Sequence, residues 1–173
     1  MDPDKCNITR FPAPVLARPA KPIDRITDDI RRLAEKMIDI MLETKGVGLA
    51  APQAGVDLQI FVVSLDGTKE NARVYINPEI TPSGPFEESD EGCLSLPGIY
   101  TKIKRHKKCT VTATDLDGNR FTEQGEGLLA RAFQHEFDHL QGMLIKDRMG
   151  RVAAIANRKR LKELQKQYEA KKS

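Results

Sequence analysis

The chain has no tryptophan, aromatic residues make up only 5% of it, and histidine and cysteine occur three times each. An odd cysteine count, at Cys6, Cys93 and Cys109, makes a poor disulfide framework and points to a reducing cytoplasm. No apolar run approaches the roughly 18 residues that a membrane-spanning helix needs. The amino-terminal MDPDKCNITRFPAPVLARP has two early aspartates and no apolar stretch, so it does not read as a signal peptide. Net charge is only +3, which by itself is no case for a nucleic-acid partner. Internal repeats and low-complexity tracts are also lacking.

What remains is ordinary for one soluble domain: 173 residues, 39% hydrophobic and 31% charged. The first 22 residues hold five of the ten prolines and predict an extended arm. Ile26, Ile30, Leu33, Met37 and Met41 recur at helical spacing over 28–44, with Thr27 as cap, Asp28 and Asp29 at the positive end and Gly46 past the close. GVGLAAPQAG (46–55) reads as a tight loop. LQIFVVSL (58–65) and RVYIN read as strands, the second stopped by Pro78, with a polar, proline-rich stretch after it. CTVTATDLDGNRFTEQ reads as a hairpin turning at Asp117-Gly118. Helices are expected over 126–141 and 151–170, the last with Ile155, Leu161, Leu164 and Tyr168 on one side. The expected class is α+β, with small antiparallel sheets packed around a central buried helix and a carboxy-terminal helix.

The informative segment is FQHEFDHLQG (133–142), which spends two of the three histidines. On a wheel of about 100° per residue, Arg131, Gln134, Asp138 and Gln141 form one narrow polar stripe. Leu128, Ala132, His135 and His139 share another, so both imidazoles point the same way, one turn apart, into the protein. A shared divalent metal would satisfy one ring nitrogen of each. Glu136 projects to the side of that position. This is H-E-x-x-H, in which the glutamate handles the proton of a metal-bound water.

A catalytic site wants a third ligand and one open position. No histidine or cysteine follows residue 139, and Glu163 sits in a basic helix. Upstream, Cys93 lies in EGCLSLPG, whose glycines let the backbone pass close to a site. Cys109 reads as a small core residue of a strand, Cys6 as incidental in the arm, and His106, among five bases, as solvated. Residue types favour Cys93 without deciding the question.

Three motifs, GVGLAAPQ (46–53), EGCLS (91–95) and QHEFDH (134–139), occur in the order and spacing of the peptide deformylases, and the chain resembles that family from about residue 10 to 150. The resemblance implies removal of the formyl group from the amino-terminal formyl-methionine of nascent polypeptides. It implies Cys93, His135 and His139 as metal ligands, with water in the fourth position and Fe²⁺ as the ion; Zn²⁺, Ni²⁺ or Co²⁺ could fill a purified sample. Glu136 would move the proton, and Gln53 and the Leu94 backbone N–H would bind the oxyanion. Leu128, Ala132 and Val47 are expected to wall the methionine pocket, and the Gly48 backbone to pair with the peptide. The helical tail resembles the bacterial type, and its lysines and arginines suggest a transient ribosome contact by a monomer that binds no membrane. One departure stands out: Tyr100 occupies a place where many relatives carry arginine. H-E-x-x-H alone would also suit a general metallopeptidase, and a closed four-ligand site would suit a non-catalytic binding protein.

Overall fold

The structure, a computed structural model, describes residues 2–171. Helix α1 spans Asp28–Glu43 and buries Ile30, Leu33, Met37 and Met41 along the stripe its spacing predicts. Thr27 stands at the cap position, but its side chain makes no capping bond there. Past the helix, the Lys45 N–H donates to Leu42 O at 3.1 Å and the Gly46 N–H to Met41 O at 2.9 Å. This is a Schellman close with Lys45, at φ 55°, in the left-handed position expected for a glycine.

Five strands follow among the described residues: β1 Gly48–Ala50, β2 Ile60–Val63, β3 Arg73–Gly92, β4 Tyr100–Thr114 and β5 Arg120–Glu126. They form one antiparallel sheet in the order β1-β2-β3-β4-β5, where separate small sheets were expected. The segment expected as a tight loop splits into edge strand β1 and a single 3₁₀ turn over Ala51–Ala54. The larger difference is in β3, which does not stop at Pro78. Pairing with β4 shifts between Ile76 and Glu79, absorbing Asn77 (φ 47°) and Pro78, and again between Ser83 and Phe86, absorbing Gly84 (φ 74°) and Pro85. Bulges let a ladder pass residues that cannot donate or that need positive φ. Residues 81–90 are all exposed, which is why they read as a loop.

Helix α2, Leu128–Leu140, lies against the sheet, and helix α3, Arg151–Ala170, closes the chain. On α3, Leu161, Leu164 and Tyr168 pack inward as expected, whereas Ile155 is 56% exposed. Its wheel position explains this: Ile155 falls about 120° from Leu161. The amino-terminal arm is not merely extended. It contains 3₁₀ turns at Pro3–Lys5 and Pro14–Ala17, buries Ala13, Leu16 and Ala20, and donates from Thr9 N–H to Gln53 O at 2.7 Å and from Phe11 N–H to Ser95 O at 2.9 Å. Cys6 is buried in the core around α1 instead of idle in the arm, and Cys109 lies in the β-sheet core as expected. All three cysteines are free thiols.

Among the described residues the core forms three clusters. One joins α1 to β1 and β2, one joins α2 to the sheet through Phe61, Tyr75 and Phe133, and one joins the 93–99 turn to α3. In the second, Phe61 stacks on Tyr75 at 4.8 Å and Phe133 meets Tyr75 edge-on at 5.3 Å. This aromatic wedge seats α2 and so sets the height of its histidines above the sheet. Among the described residues, no helix is long and apolar enough to cross a membrane.

Candidate metal centre and cleft

Helix geometry brings His135 and His139 together, their ring centroids 4.8 Å apart and near-perpendicular. The turn after β3 brings Cys93 to them from 46 residues upstream of His139, with Sγ 3.6 Å from His139 Nε2. The ligand atoms of Cys93, His135 and His139 all lie within 4.8 Å of one another. His106 is elsewhere. Its Nδ1 meets Gly84 O at 2.8 Å and its ring packs on Phe86 at 4.1 Å, so it is partly buried, where a solvated side chain was expected. Glu163 pairs with Arg160 on α3.

These residues fit a divalent cation. His135 Nδ1 lies 2.8 Å from Glu91 Oε1; a carboxylate can only accept, so Nδ1 donates and Nε2 is the ring nitrogen left for a metal. A carboxylate behind the imidazole is the support that metal-bound histidines require. Burial works against a charge on His135, but the Cys93 sulfur and the Glu91 carboxylate win and raise its pKa well above the ordinary value. Burial lowers that of His139 instead.

Glu91 was not singled out by sequence reasoning, yet it organises the site. It accepts Arg105 through two bonds of 2.7 and 2.9 Å and Arg131 at 2.6 Å, besides His135. Burial would raise its pKa; the bonds from His135 and Arg105 prevail and hold it at about 2. Its place in EGCLS, two residues before Cys93 in strand alternation, was the available signal.

Three of the four polar-stripe residues of α2 are likewise anchors, while Gln141 at the helix end is exposed. Arg131, Gln134 and Asp138 are buried. Arg131 also donates to Ile103 O and Glu87 O, and Gln134 bonds both backbone groups of His106. Asp138 bridges Arg105 at 2.9 Å and Arg148 at 2.6 and 2.9 Å. Single-sequence periodicity cannot see these partners, because all but Arg148 lie on β3 and β4.

Glu136 is 4% exposed, and its Oε2 has no hydrogen-bond partner among the described residues. Burial pushes its pKa up to about 7. A Cβ on Gly48 would fall 2.6 Å from Glu136 Oε1, so only glycine lets β1 pass so close. Gln53 is buried; its Oε1 accepts from Ala50 N–H at 3.0 Å, and its Nε2 lies 3.4 Å from Ser95 Oγ and 3.5 Å from Cys93 Sγ. The amide therefore shapes the loop with one end and presents a donor beside the sulfur with the other.

A cleft of about 570 Å³ opens over these groups. Val47, Gly48, Leu94, Leu128 and Ala132 all line it. Ala132 is buried, while Leu128 is 54% exposed at the lip, outside the core. Tyr100 also lines the cleft, 77% exposed, its ring lying so close over Gly92 that a Cβ there would meet Cε1 at 2.6 Å.

The chain is 42% identical over 162 residues to the peptide deformylase of Pseudomonas aeruginosa, covering 93% of this chain and 96% of the relative. It is 43% identical to that of Acidobacterium capsulatum, covering 92% and 95%. Among solved structures, peptide deformylase from Plasmodium falciparum superposes with a TM-score of 0.92 at 37% identity, over 96% of this chain and 99% of that one. A peptide deformylase from Legionella pneumophila gives 0.87 at 38%, over 95% and 97%. The polypeptide deformylase model matches residues 5–154, and with these relatives it establishes that the chain belongs to the polypeptide deformylase family and is an enzyme of that class.

Proposed function

We propose that this enzyme removes the formyl group from the amino-terminal formyl-methionine of newly made polypeptides, releasing formate, with Cys93, His135 and His139 holding one divalent ion. The observation that carries the reading is the meeting of those three ligand atoms within 4.8 Å beside the buried Glu136 in an open cleft. When bound, the ion supplies Lewis-acid polarisation and acidifies water. Fe²⁺ is the ion we propose, on the family resemblance; a Cys-His-His set equally accepts Zn²⁺.

Glu136 takes the proton of the attacking water and passes it to the departing amine, a role that suits a carboxyl raised to about 7. Gln53 Nε2 and the Leu94 N–H donate to the oxyanion that forms on the formyl carbon; one such donor is typically worth about 3 kcal/mol. The Gly48 backbone pairs with the peptide, and Val47, Leu128 and Ala132 enclose the methionine side chain. Small Ala132 leaves the room, and Leu128 at the lip closes over it. The discriminating experiment offers formyl-Met-Ala-Ser and its unformylated twin to anaerobically prepared enzyme. Formate from the first and no cleavage of the second is the expected result; internal peptide-bond cleavage would favour a general metallopeptidase.

Replacing Cys93 by alanine is expected to lower metal content to below about a tenth of the parent's, since a thiolate ligand is lost from a three-residue set. Metal analysis of the anaerobically purified variant checks this, and an undiminished content would remove Cys93 from the ligand set.

We further propose that the enzyme works as a cytoplasmic monomer, where its free thiols stay reduced, and that it touches ribosomes through α3. Lys159, Lys162 and Lys166 form an exposed stripe turned away from Leu161 and Leu164, with exposed Arg151 and Arg158 on its flank. A triple Lys159→Glu, Lys162→Glu, Lys166→Glu variant leaves the inner face intact. It is expected to lose salt-sensitive co-sedimentation with ribosomes; equal sedimentation would remove the contact.

A further inference from the structure

The cleft wall at 96–99 stands on α3. Leu96 and Ile99 are each 1% exposed and share one apolar cluster with Leu161, Leu164, Tyr168 and the Cys93 side chain. The backbone there makes two successive turns, Leu96 N–H to Cys93 O at 2.9 Å and Ile99 N–H to Leu96 O at 3.2 Å. Between them, Pro97 and Gly98 line the cleft on one side. On the other, Arg160 Nε of α3 donates to Pro97 O at 2.9 Å. The guanidinium lies against Gly98: a Cβ there would fall 2.9 Å from Nε and 3.4 Å from Cζ. Gly98 has φ 82°, so both its conformation and its missing side chain serve this contact. Glu163 Oε2, 3.3 Å from Arg160 Nη1, steadies the guanidinium from within the helix.

We infer that Arg160 is a positioning residue for substrate binding: through the Pro97 carbonyl it holds the cleft wall from Leu96 to Tyr100 where the bound peptide meets it. This inference rests on the deformylase reading. Arg160 does not itself line the cleft, so it acts through the turn. The two histidines and Glu136 ride on α2, and His135 is further held by Glu91; Cys93 stands at the start of the turn, ahead of the Pro97 carbonyl that Arg160 holds. Loosening the wall beyond Leu96 therefore acts first on peptide binding, while the histidines and Glu136 keep their places on α2. A segment read from sequence as a basic tail becomes, on its inner face, part of the cleft's framework.

The test uses the full chain with iron loaded anaerobically, as Arg160→Ala and Arg160→Lys variants. The alanine variant is expected to raise KM for formyl-Met-Ala-Ser about fivefold, the effect of one hydrogen bond, with kcat and metal content within about twofold of the parent. The lysine variant, whose ammonium can still donate to Pro97 O, is expected to recover most of that KM. Titrating the product peptide Met-Ala-Ser onto each protein gives a second arm that needs no turnover, and the same fivefold weakening is expected there. An unchanged KM and peptide affinity in the alanine variant would overturn the inference. So would a fall in kcat alone, or equal loss in both variants with a lowered melting temperature. If the parent itself releases no formate, the deformylase reading fails, while the peptide titration still reports on Arg160.

Discussion

Glu136→Gln is expected to lower kcat about 10³-fold while metal content stays at the parent's level, within the range a positioned general base contributes. The amide fills the same volume between Gly48 and the histidine helix but cannot accept the proton of the attacking water. Because the parent carboxylate is 4% exposed with Oε2 unpartnered, its charge is held there at a cost to folding. Neutralising it is therefore expected to raise the melting temperature of the metal-free protein as activity collapses, the trade-off usual for a strained active site. Formate release, metal analysis and a thermal scan check all three outcomes. Retention of a tenth of the parent's kcat would end the assignment of Glu136 as proton carrier.

Glu91→Ala should be the most damaging substitution for the framework itself. It strips the two-bond partner from the buried guanidinium of Arg105, leaving it Asp138 alone, takes a main partner from Arg131, and leaves His135 Nδ1 without its acceptor. Breaking a buried charge cluster by removing one partner costs about 3–5 kcal/mol, which in a chain of this size lowers the melting temperature by roughly 10 °C. Loss of the carboxylate behind a metal-bound imidazole lowers metal affinity by about 10–100-fold. The parent's own acid limb follows from the same residue. Its folded pKa, about 2, lies below the ordinary 4.5, so its contribution is fully present above pH 4.5 and fades as pH falls toward 2. Thermal scans across that window and a chelator competition at neutral pH test both effects. A variant that melts within about 2 °C of the parent and holds metal equally would show that the cluster is dispensable.

Much of this was open to sequence reasoning, for identifiable reasons. The span of α1 and its apolar stripe, the β4–β5 hairpin and both later helices follow from local periodicity and turn chemistry, which act within a few residues. His135, Glu136 and His139 were readable because a helix repeats every 3.6 residues whatever surrounds it. The failures share a different cause. Pro78 read as a stop and the segment after it as a polar, proline-rich stretch, and only the pairing strand β4 turns both into bulged strand. Arg131, Gln134 and Asp138 read only as a narrow polar stripe without partners, because the Glu91 and Arg105 that meet two of them, and the His106 backbone that meets Gln134, sit on other strands.

Sequence alone determined the two imidazoles one turn apart and the carboxyl beside them, since four residues of helix fix that geometry by covalent connection and backbone hydrogen bonds. Tertiary structure decided which sulfur joins them, which carboxylate turns His135 the right way, and which glycine lets Glu136 sit buried. Those relations span 46, 44 and 88 residues of chain between Cys93 and His139, Glu91 and His135, and Gly48 and Glu136 (136 − 48). Distances of that kind are set by how the sheet and helices pack, and no local propensity encodes them.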